Sequence, residues 1–216
     1  MSDVVLGVDA TDHPSPSPTE VVLDFWFGDL DDDGQADQDH RSAWFRKNPD
    51  FDAAITTRFA WVHAQLISAG LEPPAWIEGH RDRLAAVVVL DQFSRNMFRD
   101  TPAMFASDPL ARRYAYEMLA LEEDRKLPFA MRSFVYMPLM HSESLAHQQR
   151  CERLLAELAR EQKGSARRAT ENQLDFARRH ADIVRRFGRF PHRNEILGRE
   201  SSPEEAAFLT TPGSSF

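Results

Sequence analysis

Apolar positions recur every three or four residues along most of this chain. Phe51, Ile55, Phe59, Val62, Leu66 and Ala69 form one such stripe, the spacing that gathers side chains on one face of an α-helix. Asn48-Pro49 precedes it as a capping residue with proline at the first helical position, and Gly70 marks its end. Asp108-Pro109 repeats that start signal ahead of Leu110, Tyr114, Met118 and Leu121. Ser142 or Ser144 opens a stripe through Leu145, Cys151, Leu154, Leu155 and Leu158, with a stop expected near Gly164. From about Thr170, the residues Leu174, Ala177, Ala181, Val184 and Phe187 predict a further long helix ending at Gly188. Ser202-Pro203-Glu204-Glu205 is a capping box that starts a short helix to Leu209.

The segment 81–98 is ambiguous, because Val87–Leu90 also suits a buried strand. Nothing else in the chain is rich enough in β-formers to pair with it, so a helix apolar on most sides is expected. The pattern therefore predicts an all-α fold of eight to ten helices. Residues 1–17, carrying Pro14 and Pro16, read as a disordered leader; 18–210 read as one helical domain and 211–216 as a flexible tail.

Composition narrows the function classes. A chain of 216 residues with 42% apolar and 28% charged residues suits a globular domain with a sizeable core. The longest apolar run, 84-LAAVVVL-90, is far shorter than the roughly 18 residues a membrane span needs, so no membrane partner is expected. The single cysteine, Cys151, permits no intramolecular disulfide and no cysteine-based metal cage, and a reducing cytoplasm is the expected compartment. A net charge of −8 argues against nucleic acid as the main ligand. The charge is uneven, however: residues 1–40 hold eleven acids and no Lys or Arg, and residues 160–199 hold eleven Lys or Arg against five acids. Such blocks are either solvated faces or mutually attracting surfaces, and the basic one is expected to pair with the acidic N-terminal region.

The chain contains no Gly-rich phosphate loop, G-x-S-x-G elbow, HExxH or CxxC. Three polar constellations remain. Asp91, Arg95 and Arg99 share one helical ridge, with Asn96 beside it; a carboxylate there holds an arginine either as a structural pair or as an anion clamp. His141, Glu143 and His147 stand where a helix begins, and such residues do acid–base work or bind divalent ions. Residues two apart do not face together on a helix, however, and Pro138 suggests a bend, so no metal is expected and no cofactor. The third constellation places His180, Arg189, His192, Arg193 and Asn194 around Phe187 and Phe190, a composition able to bind phosphates or simply to end one helix and begin another.

Taken in order, the blocks 23-LDFWFGD-29, 44-WFRKNPDFDAAITTRF-59, 90-LDQFSRNMFRDTPAMFASD-108, 137-MPLMHSE-143 and 188-GRFPHRNEILGRESSPEEAAFL-209 resemble the bacterial domain-of-unknown-function family 924 over roughly residues 20–210. The resemblance implies an all-α stack of antiparallel helices similar to tetratricopeptide (TPR-like) folds, although the W-x2-L-G-x2-Y signature is missing here. It brings no activity and no ligand. The leading expectation is a binding module for a peptide or small anionic molecule, with Arg95, Arg99, Arg189 and Arg193 meeting anionic groups and Asn96 and Asn194 adding amide hydrogen bonds. The competing expectation is an enzyme with His141 or His180 as base and Asp91, Glu143 and the arginines as partners. Convergence of Asp91, Arg95, His141, Glu143, His180 and His192 around a pocket is the geometry that favours an enzyme or small-ligand site.

Overall fold

A computed structural model describes residues 17–214. The leader expected at 1–17 lies outside the described residues except for Ser17, which is the N-cap of helix α1 (Pro18–Phe27) in a reciprocal capping box with Glu20. The chain continues through α2 (Gln38–Trp44), α3 (Pro49–Ala69) and α4 (His80–Val87). A π-helical segment, Val88–Phe93, joins α4 without a break to α5 (Ser94–Met97). There follow α6 (Asp108–Ala120), α7 (Phe129–Met140), α8 (Leu145–Glu161), α9 (Gly164–Phe187) and α10 (Pro203–Leu209). Apart from an isolated bridge between Leu30 and Ala36, no β-structure occurs among the described residues. The fold is all-α.

The ambiguous segment 81–98 is the central helix of the core. Leu84 through Leu90 are all buried, enclosed by α1, α3, α6 and α7, which explains an apolar run without one-sided periodicity. Trp26, Phe27, Phe59, Phe93 and Phe134 pack around it as tilted and edge-on ring pairs. Among the described residues no helix is long and apolar enough to cross a membrane.

Three local expectations change. Helix α7 is continuous through Pro138, and the His141 N–H still donates to the Met137 carbonyl at 2.9 Å. Ser107, not Asp108, is the N-cap position of α6. Helix α8 stops at Glu161, near Gly164 as expected, but α9 begins at Gly164 and not near Thr170, because Ala166 and Thr170 continue the buried stripe with side chains too small to register as apolar signals. Past Gly188, whose left-handed φ of 72° ends α9, the corner 188–199 and α10 pack on a second apolar cluster of Ile183, Val184 and Phe190 with Leu145, Phe187 and Phe208. Ser214 is buried and donates to the Leu209 carbonyl at 3.1 Å, fastening part of the segment read as a tail.

Candidate functional site

The π segment puts a carboxylate inside the core. A π turn shifts helical register and frees a carbonyl from the ladder; here Ser107 Oγ donates to the Leu90 carbonyl at 2.7 Å, and Ser94 Oγ lies 2.7 Å from the same hydroxyl. That contact ties the start of α6 to the π turn and sets Asp108 beside Arg95. It also occupies the hydroxyl that would otherwise cap α6.

Asp91, in the π turn, is fully buried. His141, at the C-terminal end of α7, places Nδ1 2.8 Å from Asp91 Oδ1 and 3.0 Å from Oδ2. Arg95 Nη1 is 3.2 Å from Asp91 Oδ1, and its Nη2 is 3.1 Å from Asp108 Oδ1. Gln92 Nε2 donates to Asp91 Oδ2 at 2.5 Å. Burial pushes the Asp91 carboxyl up, but Arg95, His141 and these hydrogen bonds outweigh it and hold the acid below the usual carboxylate range. Burial, with Arg95 behind it, pulls the His141 imidazole below its ordinary value despite Asp91. The pair is thus carboxylate and neutral imidazole near pH 7. An ionised carboxylate only accepts, so the ring proton sits on Nδ1, and Nε2 carries the lone pair. Nε2 has no hydrogen-bond partner among the described residues.

Arg193 crosses over from the corner after α9. Its Nη2 donates to the His141 carbonyl at 2.9 Å, and Nη1 is a long 3.6 Å from Asp108 Oδ2. Its guanidinium lies over the rings of Phe105 and Phe190. Burial, with the neighbouring Arg95, lowers its pKa to about 10. The corner itself is anchored by Glu143, which accepts two hydrogen bonds from Arg199 at 2.8 and 2.9 Å and one from the Phe190 N–H at 2.8 Å. His180 and His192 both pack against Phe190, with the His180 ring centroid 6.4 Å from that of His141. Burial lowers their pKa values to about 3 and about 4.

Of these groups, Asp108, His141, Glu143 and Arg193 line a cleft of about 530 Å³. One wall is the first turn of α6 with Asp108 and Arg112; the other is the α7–α8 turn with His141, Ser142 and Ser144, followed by His147. Neither α6 nor α8 has a side-chain cap at its N-terminus; in α6, however, Pro109 has no N–H and the Leu110 N–H donates to the Ser107 carbonyl at 3.0 Å, so the open donors are those of α8. Arg112 forms no hydrogen bond or ion pair with the described residues. Ser142 Oγ lies 2.7 Å from His147 Nδ1 and also accepts from the Ser144 N–H.

The structure therefore brings Asp91, Arg95, His141 and Arg193 together, with Glu143 on the cleft wall and His180 and His192 against Phe190. It separates the other candidates. Asn96 and Arg99 both bind Asp52, at 2.7 Å and at 2.6 and 2.8 Å, and lock α5 to the start of α3. Arg189 makes a two-pronged pair with Glu205 at 2.6 and 2.7 Å, and Asn194 donates to Ser201 at 3.1 Å; both serve to fasten α10. The expected pairing of the basic block with the acidic N-terminal region also changes. Within the described residues Arg186, Arg189 and Arg199 pair with Glu204, Glu205 and Glu143, because the corner folds back on its own helix ends. Asp108 and Arg112 are absent from the sequence-derived candidates: the first looks like a helix-start residue, and the second is one arginine off an apolar stripe. Among the described residues no three His, Cys, Asp or Glu side chains are grouped to hold a metal ion.

The family model for bacterial proteins of unknown function, DUF924, matches residues 22–213. A solved structure, that of the protein of unknown function ATU0120 from Agrobacterium tumefaciens, is 37% identical, with a TM-score of 0.71, covering 89% of this chain and 96% of that one. No curated protein matches. With a family match over nearly all of the described helices and a similar solved fold, the chain belongs to the DUF924 family of bacterial proteins.

Proposed function

We propose that this protein binds a small anionic molecule in the cleft between the first turns of α6 and α8. The observation that carries the reading is cationic capacity left over in a built pocket. Arg112 has no carboxylate partner among the described residues, and Arg193, 7% exposed, has an Nε without a hydrogen-bond partner there. The N-terminus of α8, which has no side-chain cap, adds partial positive charge on one wall. The cleft volume suits a small molecule, whereas a tetratricopeptide-type stack would recognise a peptide along a concave face. A lone buried cysteine suits the reducing compartment this reading assumes.

Calorimetric titration with inorganic phosphate and with glutarate tests the proposal. Saturable binding that weakens about tenfold or more in Arg112→Gln supports it. Absence of binding by both anions, or equal binding by the variant, sinks it.

A further inference from the structure

We infer that the anion held in this cleft is part of a substrate, and that His141 is the general base by which water hydrolyses an ester bond in that substrate. The inference rests on the anion-binding reading above and adds the chemistry. It starts from the Asp91–His141 pair. Asp91 fixes the imidazole through Nδ1, which leaves Nε2 as the basic atom of a residue that lines the cleft. The His141 side chain is 17% exposed, enough for water to reach the ring, whereas Asp91 behind it is 1% exposed. Arg95 and Gln92 occupy further positions around the Asp91 carboxylate, so the aspartate cannot swing away to act by itself.

Water is the nucleophile in this reading: Cys151 and Ser142 are engaged elsewhere, and no hydrogen bond joins the Ser144 hydroxyl, also on the cleft wall, to His141. Cys151 is buried at 0% exposure, donates to the Tyr136 carbonyl, and lies outside the cleft. Ser142 is 5% exposed, and its hydroxyl is shared between His147 and the Ser144 N–H. In the step proposed, a water O–H bond breaks and its proton moves to His141 Nε2 as the oxygen bonds to the acyl carbon. The carbonyl electron pair becomes an oxyanion, which Arg193 and the free first-turn N–H groups of α8 stabilise. The tetrahedral intermediate then collapses, the ester C–O bond breaks, and the leaving oxygen takes the proton back from the imidazolium. The products are a carboxylic acid and an alcohol, and His141 ends neutral. Arg112, on the opposite wall, holds the anionic group that selects the substrate.

The test uses the full chain and two para-nitrophenyl esters: the mono-ester of glutaric acid, which carries a carboxylate, and the neutral acetate. Release of nitrophenolate is followed alongside phosphate binding. The expected result is faster hydrolysis of the glutarate ester than of the acetate, falling about a hundredfold or more in His141→Gln, with phosphate binding retained by that variant. Asp91→Asn should lower kcat with KM little changed, and Arg112→Gln should mainly raise KM. Wild-type rates in His141→Gln, equal turnover of both esters, or an acyl adduct on Ser142 or Ser144 seen by mass spectrometry during turnover each overturn the inference. If phosphate binds and the glutarate ester is not hydrolysed, the base role fails alone; if phosphate and glutarate do not bind, the underlying anion reading fails first. Retained phosphate binding by His141→Gln also reports that the variant is folded.

Discussion

His141 Nδ1 lies 2.8 Å from Asp91 Oδ1 although the two residues are separated by fifty positions in the chain. One comes from a π turn in the central helix and the other from the last residue before a helix-to-helix corner, so their meeting depends on the whole core. The pair is locked from three sides, by Arg95, Gln92 and the Arg193 bond to the His141 carbonyl.

Replacing Asp91 with Asn should therefore be costly as well as inactivating. It removes the carboxylate facing Arg95, a buried cation that then keeps only Asp108 as a counter-charge. Uncompensated buried charges of this kind cost about 3–5 kcal/mol. Urea unfolding should show a drop of that order. A loss below about 1 kcal/mol would mean that Asp108 alone neutralises Arg95.

Stability should fall as pH drops from 7 to 5, before most carboxylates titrate. His180 and His192 have folded pKa values of about 3 and about 4, from an ordinary value of 6.5, and burial is the leading cause in both. His141 shifts in the same direction. For these groups the unfolded chain binds protons more readily, so the stabilisation is fully present above about pH 6.5. It is lost progressively as pH falls toward the folded values. Urea midpoints measured at pH 7, 6 and 5 should decline steadily, and His180→Gln should flatten the decline. A midpoint independent of pH over that range would contradict the burial of these rings.

How much of this was legible in the sequence depends on the kind of signal. Helices that start with a polar cap and proline, such as those beginning at Pro49 and Pro203, were readable because local hydrogen bonds set their starts. Segment 81–98 was not readable by periodicity, since a helix buried on all sides has no polar face. His141, Asp91 and Arg193 stood out as polar residues in apolar surroundings, but their convergence is tertiary. Arg99 and Arg189 looked equally suited to an anion, and only the positions of Asp52 and Glu205 show that their charges are already used. Arg112 shows the reverse case: its interest lies in forming no ion pair among the described residues, which no local pattern encodes.

Arg189 supplies a sharp control for that distinction. Its two bonds to Glu205 and one to the Glu200 carbonyl hold α10 against the end of α9. Arg189→Gln should leave the phosphate dissociation constant unchanged while lowering the thermal midpoint. A tenfold weaker phosphate affinity would instead place the anion beside Arg189 itself.

The corner 188–199 should depend on a single acid. Glu143 accepts from both Arg199 nitrogens and from the Phe190 N–H, and burial that pushes its carboxyl up is outweighed by those partners. Glu143→Gln keeps an acceptor for the Phe190 N–H but loses the charge facing Arg199; Glu143→Ala loses both. Breaking the hydrogen-bonded charge pair costs about 1.5–3 kcal/mol. The loss should be local, since the corner rests on the small cluster of Ile183, Val184 and Phe190 and not on the main core. Hydrogen–deuterium exchange should accelerate over residues 188–199 and around Leu145, more in the Ala variant than in the Gln variant, with α3 and α4 unaffected. Because Arg193 reaches the cleft from this corner, phosphate affinity should fall in the same order. Unchanged exchange at 188–199 in Glu143→Ala would show that the apolar contacts of Phe190 suffice to hold Arg193 in place.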